Sequence, residues 1–300
     1  MRKKLPISVV CATHNGRKKI PKLINSIYCN TFWPNEIIIC GTKKEDFDFI
    51  YKKKYKELSI KTIVSNVKNQ IAQRNRAIKK TQNNILLQLD DDIELDRNYI
   101  NLMYQHFKNK KDLKKIVSAA ILFRNKKHQA IRWNATFKNS LLFRNILYFF
   151  NFFKELKYMS ILQSGRIAPK LPEEFLKKKS KTIVEDIEWV CSTIGYNKKC
   201  LRDAIRLRIN NSAKAFYEDV FFSHSLYKKG YRLIIDRSII AYHPHTAQTN
   251  LFTFIKTIPS QWKIVTIFNK SLFLFFLDVI TFVIIHGLID LSKILKRDEK

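Results

Sequence analysis

The 300-residue chain lacks the marks of several protein classes. Its five cysteines, Cys11, Cys29, Cys40, Cys191 and Cys200, are odd in number and form no CxxC pair, which argues against a disulfide framework and a zinc site. Reduced thiols in a cytosolic protein fit that pattern. Glycine is down to six residues, and no glycine-rich phosphate loop follows the first apolar segment, where Thr13-His14-Asn15-Gly16-Arg17 stands. Acidic side chains are few, 25 against 56 Lys plus Arg. Long apolar runs are missing as well. Met1-Arg2-Lys3-Lys4 has the charge of a secretory signal's start, but the apolar run Ile7 to Ala12 stops at Thr13-His14-Asn15, too short for one. The aromatic segment 141–153 falls short of the roughly 20 residues that span a bilayer as a helix. Segment 271–289 is nearly long enough, but Asp278 and His286 interrupt it. Both read as core or interfacial helices. No internal repeat is evident.

What the chain has is apolar mass and positive charge. A 46% hydrophobic composition supports a sizeable core and argues against wholesale disorder. A formal net charge of +31 attracts polyanions: nucleic acid, anionic headgroups or phosphorylated substrates. The same charge also follows from lysine spread over solvated faces, as in Lys52-Lys53-Lys54 and Lys177-Lys178-Lys179. A nucleic-acid-binding protein would show a basic stripe interleaved with aromatics. The aromatics of 141–153 cluster with aliphatics instead.

Ile7-Ser8-Val9-Val10-Cys11 reads as a buried strand ending in a turn cluster. Ile20, Leu23, Ile24 and Ile27 recur at helical spacing within 17–30. Strands follow at 36–40, closed by Gly41-Thr42, and at 60–65. A helix is expected over 70–82, then a strand over 84–89 that ends at three aspartates. Strands alternating with helices imply βαβ units. The expected fold is therefore α/β, a Rossmann-like, mainly parallel central sheet flanked by helices, with a C-terminal helical tail. Ligands bind beyond the carboxyl ends of such strands, so the loops after Cys11, Cys40 and Leu89 should line one crevice. A second half begins at Ile116 to Phe123, with strands or loops over 183–193 and 233–245, a helix over 214–230 and a surface loop over 169–181.

Three acidic or imidazole clusters carry chemistry. Asp90-Asp91-Asp92 follows an apolar strand directly, and clustered carboxylates need a cation or donors to balance their repulsion. Their hard oxygens suit Mg²⁺ or Mn²⁺, which also bind diphosphate. The plain alternative is an exposed acidic turn capping the next helix. Glu218-Asp219 lies amid Phe216, Tyr217, Phe221 and Phe222, where apolar surroundings raise a carboxyl toward a useful base. It equally suits a helix N-terminus, where acids oppose the macrodipole. His243-Pro244-His245 closes a strand and either completes a metal shell or forms a surface turn. Arg74 and Arg76 open a helix and either grip phosphate or are solvated.

In this order, the elements resemble the inverting family 2 glycosyltransferases over about residues 5–250. Ile7 to Asn15 resembles the family's opening strand and loop, and Arg74-Asn75 the pair before its metal strand. Leu89-Asp90-Asp91-Asp92 matches its DxD motif. Trp189 to Lys198 resembles the segment lining the sugar and acceptor site. Glu218-Asp219 with Lys229-Gly230-Tyr231-Arg232-Leu233 resembles its catalytic acids and helix end, and Tyr242-His243-Pro244-His245 its closing motif. Two departures stand out. Gly41-Thr42 replaces the aspartates usual after the second strand, and Cys191 and Ser192 replace glycines of the acceptor segment.

The resemblance implies a GT-A type fold with a catalytic domain over 1–250 (nucleotide-binding half 1–120, acceptor half 121–250); beyond it, 251–300 reads from its apolar and basic residues as a helical, membrane-associating tail. The resemblance also implies a nucleotide-sugar donor and a glycan or lipid-linked acceptor, in cell-surface polysaccharide synthesis. Asp219, with Glu218, is then the base. Asp92, Asp90, His243 and His245 are candidates for the metal, Mg²⁺ or Mn²⁺. Thr13, Asn15, Arg74, Asp90 and Asp91 fall to the nucleotide, and Trp189 and Thr193 to sugar or acceptor. Apolar segments with basic flanks and no signal peptide point to the cytoplasm, peripheral to the inner face of the membrane, without a nucleic-acid partner. A nucleotidyltransferase, which also uses carboxylates and Mg²⁺, is the rival enzyme. It usually needs the phosphate loop that 13–17 does not supply.

Overall fold

A computed structural model describes residues 2–51, 55–109, 112–123, 141–154, 157, 159–168, 183–191, 193–205, 216–244 and 251–298. The loop expected over 169–181, His245 and Ser192 lie outside the described residues. The chain divides into two compact units, 1–124 with 172–244 and 125–171 with 245–300.

The first unit is built on one sheet. Its strands are β1 (Lys4–Ala12), β2 (Trp33–Gly41), β3 (Ile60–Val64), β4 (Ile85–Asp90), β5 (Glu94–Leu95), β6 (Lys115–Phe123), β7 (Ile183–Val184), β8 (Ile194–Asn197) and β9 (Arg232–His243). Among the described residues the α-helices are α1 (Ile20–Cys29), α2 (Gln70–Lys79), α3 (Tyr99–Phe107), α4 (Leu141–Phe149), α5 (Glu218–Tyr227), α6 (Leu251–Ile267) and α7 (Leu272–Asp298). Strand order is β3-β2-β1-β4-β8-β6-β9-β5, with β7 also on β9.

The nucleotide half follows from its apolar runs. β1 pairs in parallel with β2 and β4, and β2 with β3. Every residue from Ile7 to Ala12 is buried. Strands covered on both faces read as continuous rather than alternating apolar runs. α1 turns Ile20, Leu23, Ile24 and Ile27 into the core, and α2 begins at Asn69, whose side chain accepts from the Ala72 amide. The helix expected over 17–30 is split into a 3-10 turn, Gly16–Lys18, and α1.

The second half of the sheet is mixed. β8 runs antiparallel to both β4 and β6, β6 is parallel to β9, and β5 is antiparallel to β9. Strand-helix alternation predicts parallel pairing between successive strands, and β8 is not successive to either neighbour. Gly195 on β8 admits α3 closely: an added Cβ would stand 2.8 Å from Met103 Sδ.

The second unit has its own core, in which Leu147, Phe150, Leu162, Phe254, Leu274 and Phe282 meet. No helix among the described residues is long and apolar enough to cross a membrane.

Candidate functional site

The carboxyl ends of β1, β2 and β4 open together, since Ala12 pairs with Cys40 on one side and with Asp90 on the other. Thr13, the next residue, is buried, and its amide donates to the Cys40 carbonyl at 2.9 Å. Its hydroxyl donates to Asp91 Oδ2 at 2.7 Å. Gly16 permits this, because a Cβ there would fall 2.2 Å from Thr13 Oγ1. Asn15 between them is exposed in the left-handed region (φ 57°), which asparagine tolerates.

The three aspartates divide. Asp91 is held by Thr13 and, at 3.4 Å, by Lys19 Nζ. Burial raises its carboxyl above the ordinary range; Thr13 and Lys19 oppose that rise, and Asp92 and Asp90 add to it. Asp90 pairs with Arg74. Asp92 Oδ1 stands 3.5 Å from His243 Nε2, both side chains partly open. β9 delivers His243 to this place through its pairing with β5, where Glu94 faces Tyr242.

Arg74 ties the site's two halves. Its side chain is buried, and its guanidinium donates to Asp90 Oδ1 and Glu218 Oε2. Burial alone would lower its pKa, but Glu218 foremost, then Asp90 and Asp219, hold it above its usual value. The guanidinium is thus engaged by carboxylates. Glu218 is itself buried at the first turn of α5, after Tyr217 in the left-handed region (φ 62°). Asp219, beside it, stays half-open. Val190 donates its amide to Ser223 Oγ on α5 at 3.1 Å, which docks the Trp189 segment there. Trp189 and Thr193 are fully buried, Thr193 behind β6 with its carbonyl 3.4 Å from the Ala119 amide.

Three residues escaped sequence reasoning. Lys19 is hidden in a lysine-rich stretch. His14 Nδ1 meets Thr42 Oγ1 at 3.2 Å and joins the first two loops. Asp46, in the 3-10 stretch Lys44–Tyr51, is buried, and its Oδ2 has no hydrogen-bond partner among the described residues. A Cβ on Gly41 would lie 3.3 Å from that oxygen. A carboxylate thus stands near Gly41-Thr42, where the sequence has none. Its only sequence signal was an acid five residues past the strand.

The donors suit a divalent cation in part. Cis ligands of an octahedral ion at about 2.1 Å stand roughly 3 Å apart, close to the Asp92–His243 spacing. No cluster of three or more His, Cys, Asp or Glu placed to hold a metal occurs among the described residues. Asp92 and His243 would therefore supply two positions and leave others for a ligand's oxygens.

Comparison with known proteins bears on the fold and the family. The fold resembles S. aureus TarS 1-349 in complex with UDP-GlcNAc, at TM-score 0.54 and 15% identity over 91% of this chain and 68% of that one. It also resembles GalNAc-T7 with UDP, GalNAc and Mn²⁺, at TM-score 0.54 and 13% identity over 87% of this chain and 48% of that one. Against the longer S. aureus TarS chain the TM-score is 0.51 at 16% identity, and this chain spans 40% of that length. No curated protein matches the sequence. The profile of glycosyl transferase family 2 matches residues 8–167, more than half of the chain, from β1 through the aspartate end of β4 and beyond. The nucleotidyltransferase alternative thereby falls, and the chain belongs to glycosyl transferase family 2: it is a glycosyltransferase.

Proposed function

We propose that this enzyme moves a sugar, with inversion, from a nucleoside-diphosphate sugar to a hydroxyl of a glycan or lipid-linked acceptor in cell-surface polysaccharide synthesis. One observation carries the reading. Arg74 binds Glu218 and Asp90 together, and the neighbouring acids of the two motifs, Asp219 and Asp92, are both partly open. Asp219 takes the acceptor hydroxyl proton as that oxygen attacks the anomeric carbon, and the bond to the diphosphate breaks with its electron pair leaving on the nucleotide. Glu218 and Arg74 position Asp219 from behind. Asp92 and His243 would hold Mg²⁺ or Mn²⁺, which when bound supplies positive charge toward the diphosphate. His245, the other sequence candidate, is left aside, and Asp90 is committed to Arg74.

Thr13, Asn15, Asp91 and Asp46 line the nucleotide side. Asp46 is suited to accept from a base or ribose donor, since its buried oxygen lacks a partner among the described residues. Among similar structures, one holds UDP, GalNAc and Mn²⁺ and another UDP-GlcNAc, which favours a uridine donor. We place the enzyme at the cytoplasmic face of a membrane, reaching a membrane-held acceptor. The test is a screen of nucleotide sugars for release of nucleoside diphosphate with Mn²⁺ or Mg²⁺. One or a few donors should be turned over, and Asp46→Asn should weaken UDP binding. No turnover of any donor, with no UDP binding, would overturn the reading.

A further inference from the structure

Two helices of the second unit, α6 and α7, carry apolar side chains on their exposed faces as well as in the core. Every exposed side chain described on α7 is apolar, and Phe273, Phe276, Ile280, Ile284, Leu288 and Leu291 recur every three or four residues along one face. The same helix buries its polar residues. Asp278 is 0% exposed and His286 3%. Asp278 accepts from Arg166 Nε at 2.7 Å and from Gln261 Nε2 at 2.8 Å, while His286 stacks on Phe254 at 5.1 Å. The Arg166 guanidinium lies 3.3 Å over the Phe282 ring.

α6 shows the same mixture, with Phe254, Ile264 and Val265 buried beside polar residues. Thr257, Ser260 and Gln261 are buried, and Phe252, Ile255 and Trp262 are exposed. Trp262 packs on Phe275 and Phe276, at centroid distances of 5.4 and 6.0 Å, and so joins the two apolar faces. In water a helix turns such residues the other way round, and contiguous apolar surface of this kind marks an interaction site.

We propose that the apolar face of α6 and α7 is a docking surface for an anionic lipid bilayer. It lies in the interface rather than crossing, since no described helix is long and apolar enough to span and Asp278 is fixed inward. This deepens the membrane part of the proposed function and does not depend on the roles of Asp219 and Asp92. Charge selects the occupant. Lys256, its Nζ 3.9 Å over Phe252, and Lys263 lie on α6, and the α7 sequence ends in Lys293, Lys296 and Arg297. A chain of net charge +31 gains from an anionic leaflet, whereas a second copy on the same face would set like charges together.

The test uses the full chain with sedimented vesicles of phosphatidylglycerol and phosphatidylcholine, or phosphatidylcholine alone, at low salt. The protein should pellet with the anionic vesicles, bind the neutral ones at least tenfold less, and leave both in high salt. Brominated acyl chains should quench its tryptophan emission, and Trp262→Phe should remove most of that quenching. Phe276→Glu, Ile280→Glu and Ile284→Glu together should lower vesicle affinity at least tenfold with an unchanged circular dichroism spectrum. A protein that stays soluble with anionic vesicles overturns the proposal. So does a dimer that the triple substitution splits, which would assign the face to a second copy. Vesicle binding by a protein that fails to bind UDP would uphold this surface while refuting the donor assignment.

Discussion

Arg74 and Glu218, 144 residues apart in the sequence, form a buried ion pair that joins α2 to the start of α5. Asp90 shares the same guanidinium. The charge balance within this triad is what allows two carboxylates to sit so close.

Removing the cation should therefore cost more than losing a contact. Arg74→Met leaves Glu218 buried with its charge uncompensated, a situation that typically costs about 3–5 kcal/mol. Urea denaturation should show a loss of that size. Adding Glu218→Gln should recover a good part of it, because the stranded charge is then gone. A double variant no more stable than Arg74→Met would show that the pairing is not the cause.

Asp219→Asn should behave differently from Glu218→Gln. Asp219 is half-open and its loss leaves no buried charge behind. Single-turnover transfer should slow by roughly 10²–10⁴, the usual contribution of a general base, with little change in UDP affinity. Glu218→Gln should mainly lower stability. Normal turnover by Asp219→Asn would reassign the base.

Gly16 offers a test of the first loop. A Cβ there would meet Thr13 Oγ1 at 2.2 Å and the Ile20 side chain at 2.8 Å. Gly16→Ala should cost about 1–3 kcal/mol, as overpacking does, and weaken UDP binding by moving Thr13 off Asp91. Calorimetric titration with UDP and a melting curve read both effects. Wild-type values for both would mean the loop relaxes freely.

Much of this was legible because it is local. Ile7–Cys11 and Ile85–Leu89 are apolar without alternation, which marks strands buried on both faces, and the aspartates follow the second run directly. Arg74 was not legible. Its partner Glu218 is 144 residues away, so the sequence offered only a phosphate contact or a solvated side chain. Asp46 and Lys19 were hidden for the opposite reason, as ordinary surface-type residues whose roles arise only from burial and closeness to Gly41 and Asp91. The order of β8 and β6 was also unreadable, since antiparallel partners far apart in the chain leave no periodic trace. On α7, counting apolar residues could not show that Asp278 points inward and Ile280 outward.

The pH dependence at Asp91 has an unusual sign. Its carboxyl is raised in the folded protein, by burial first, so the folded state holds that proton more tightly than the unfolded chain does. The stability this contributes is fully present below about pH 4, the unfolded carboxyl range, and is lost as pH rises through the folded value. Asp91→Asn removes the titration. In metal-free buffer the variant should be at least as stable as wild type at pH 7, with the difference closing toward pH 3. A variant that is less stable at pH 7 but equal at pH 3 would reverse the sign and show that the Thr13 and Lys19 contacts outweigh burial.

Asp92 and His243 are the candidate metal pair. Their donor atoms, 3.5 Å apart, approach the spacing of adjacent ligands on one ion. Two protein ligands bind a divalent cation weakly alone, so most of the affinity should appear only when the diphosphate fills the remaining positions. UDP binding should therefore tighten markedly with Mn²⁺, by roughly tenfold or more, and the cation should bind better with UDP present by the same factor, as linkage requires. Asp92→Asn should abolish that coupling without unfolding the protein. His243→Ala should weaken it and leave some activity, because imidazole carries no charge to neutralise the ion. Excess EDTA should stop turnover, and added Mn²⁺ should restore it. Full activity in EDTA, or coupling that survives Asp92→Asn, would remove the ion from this pair.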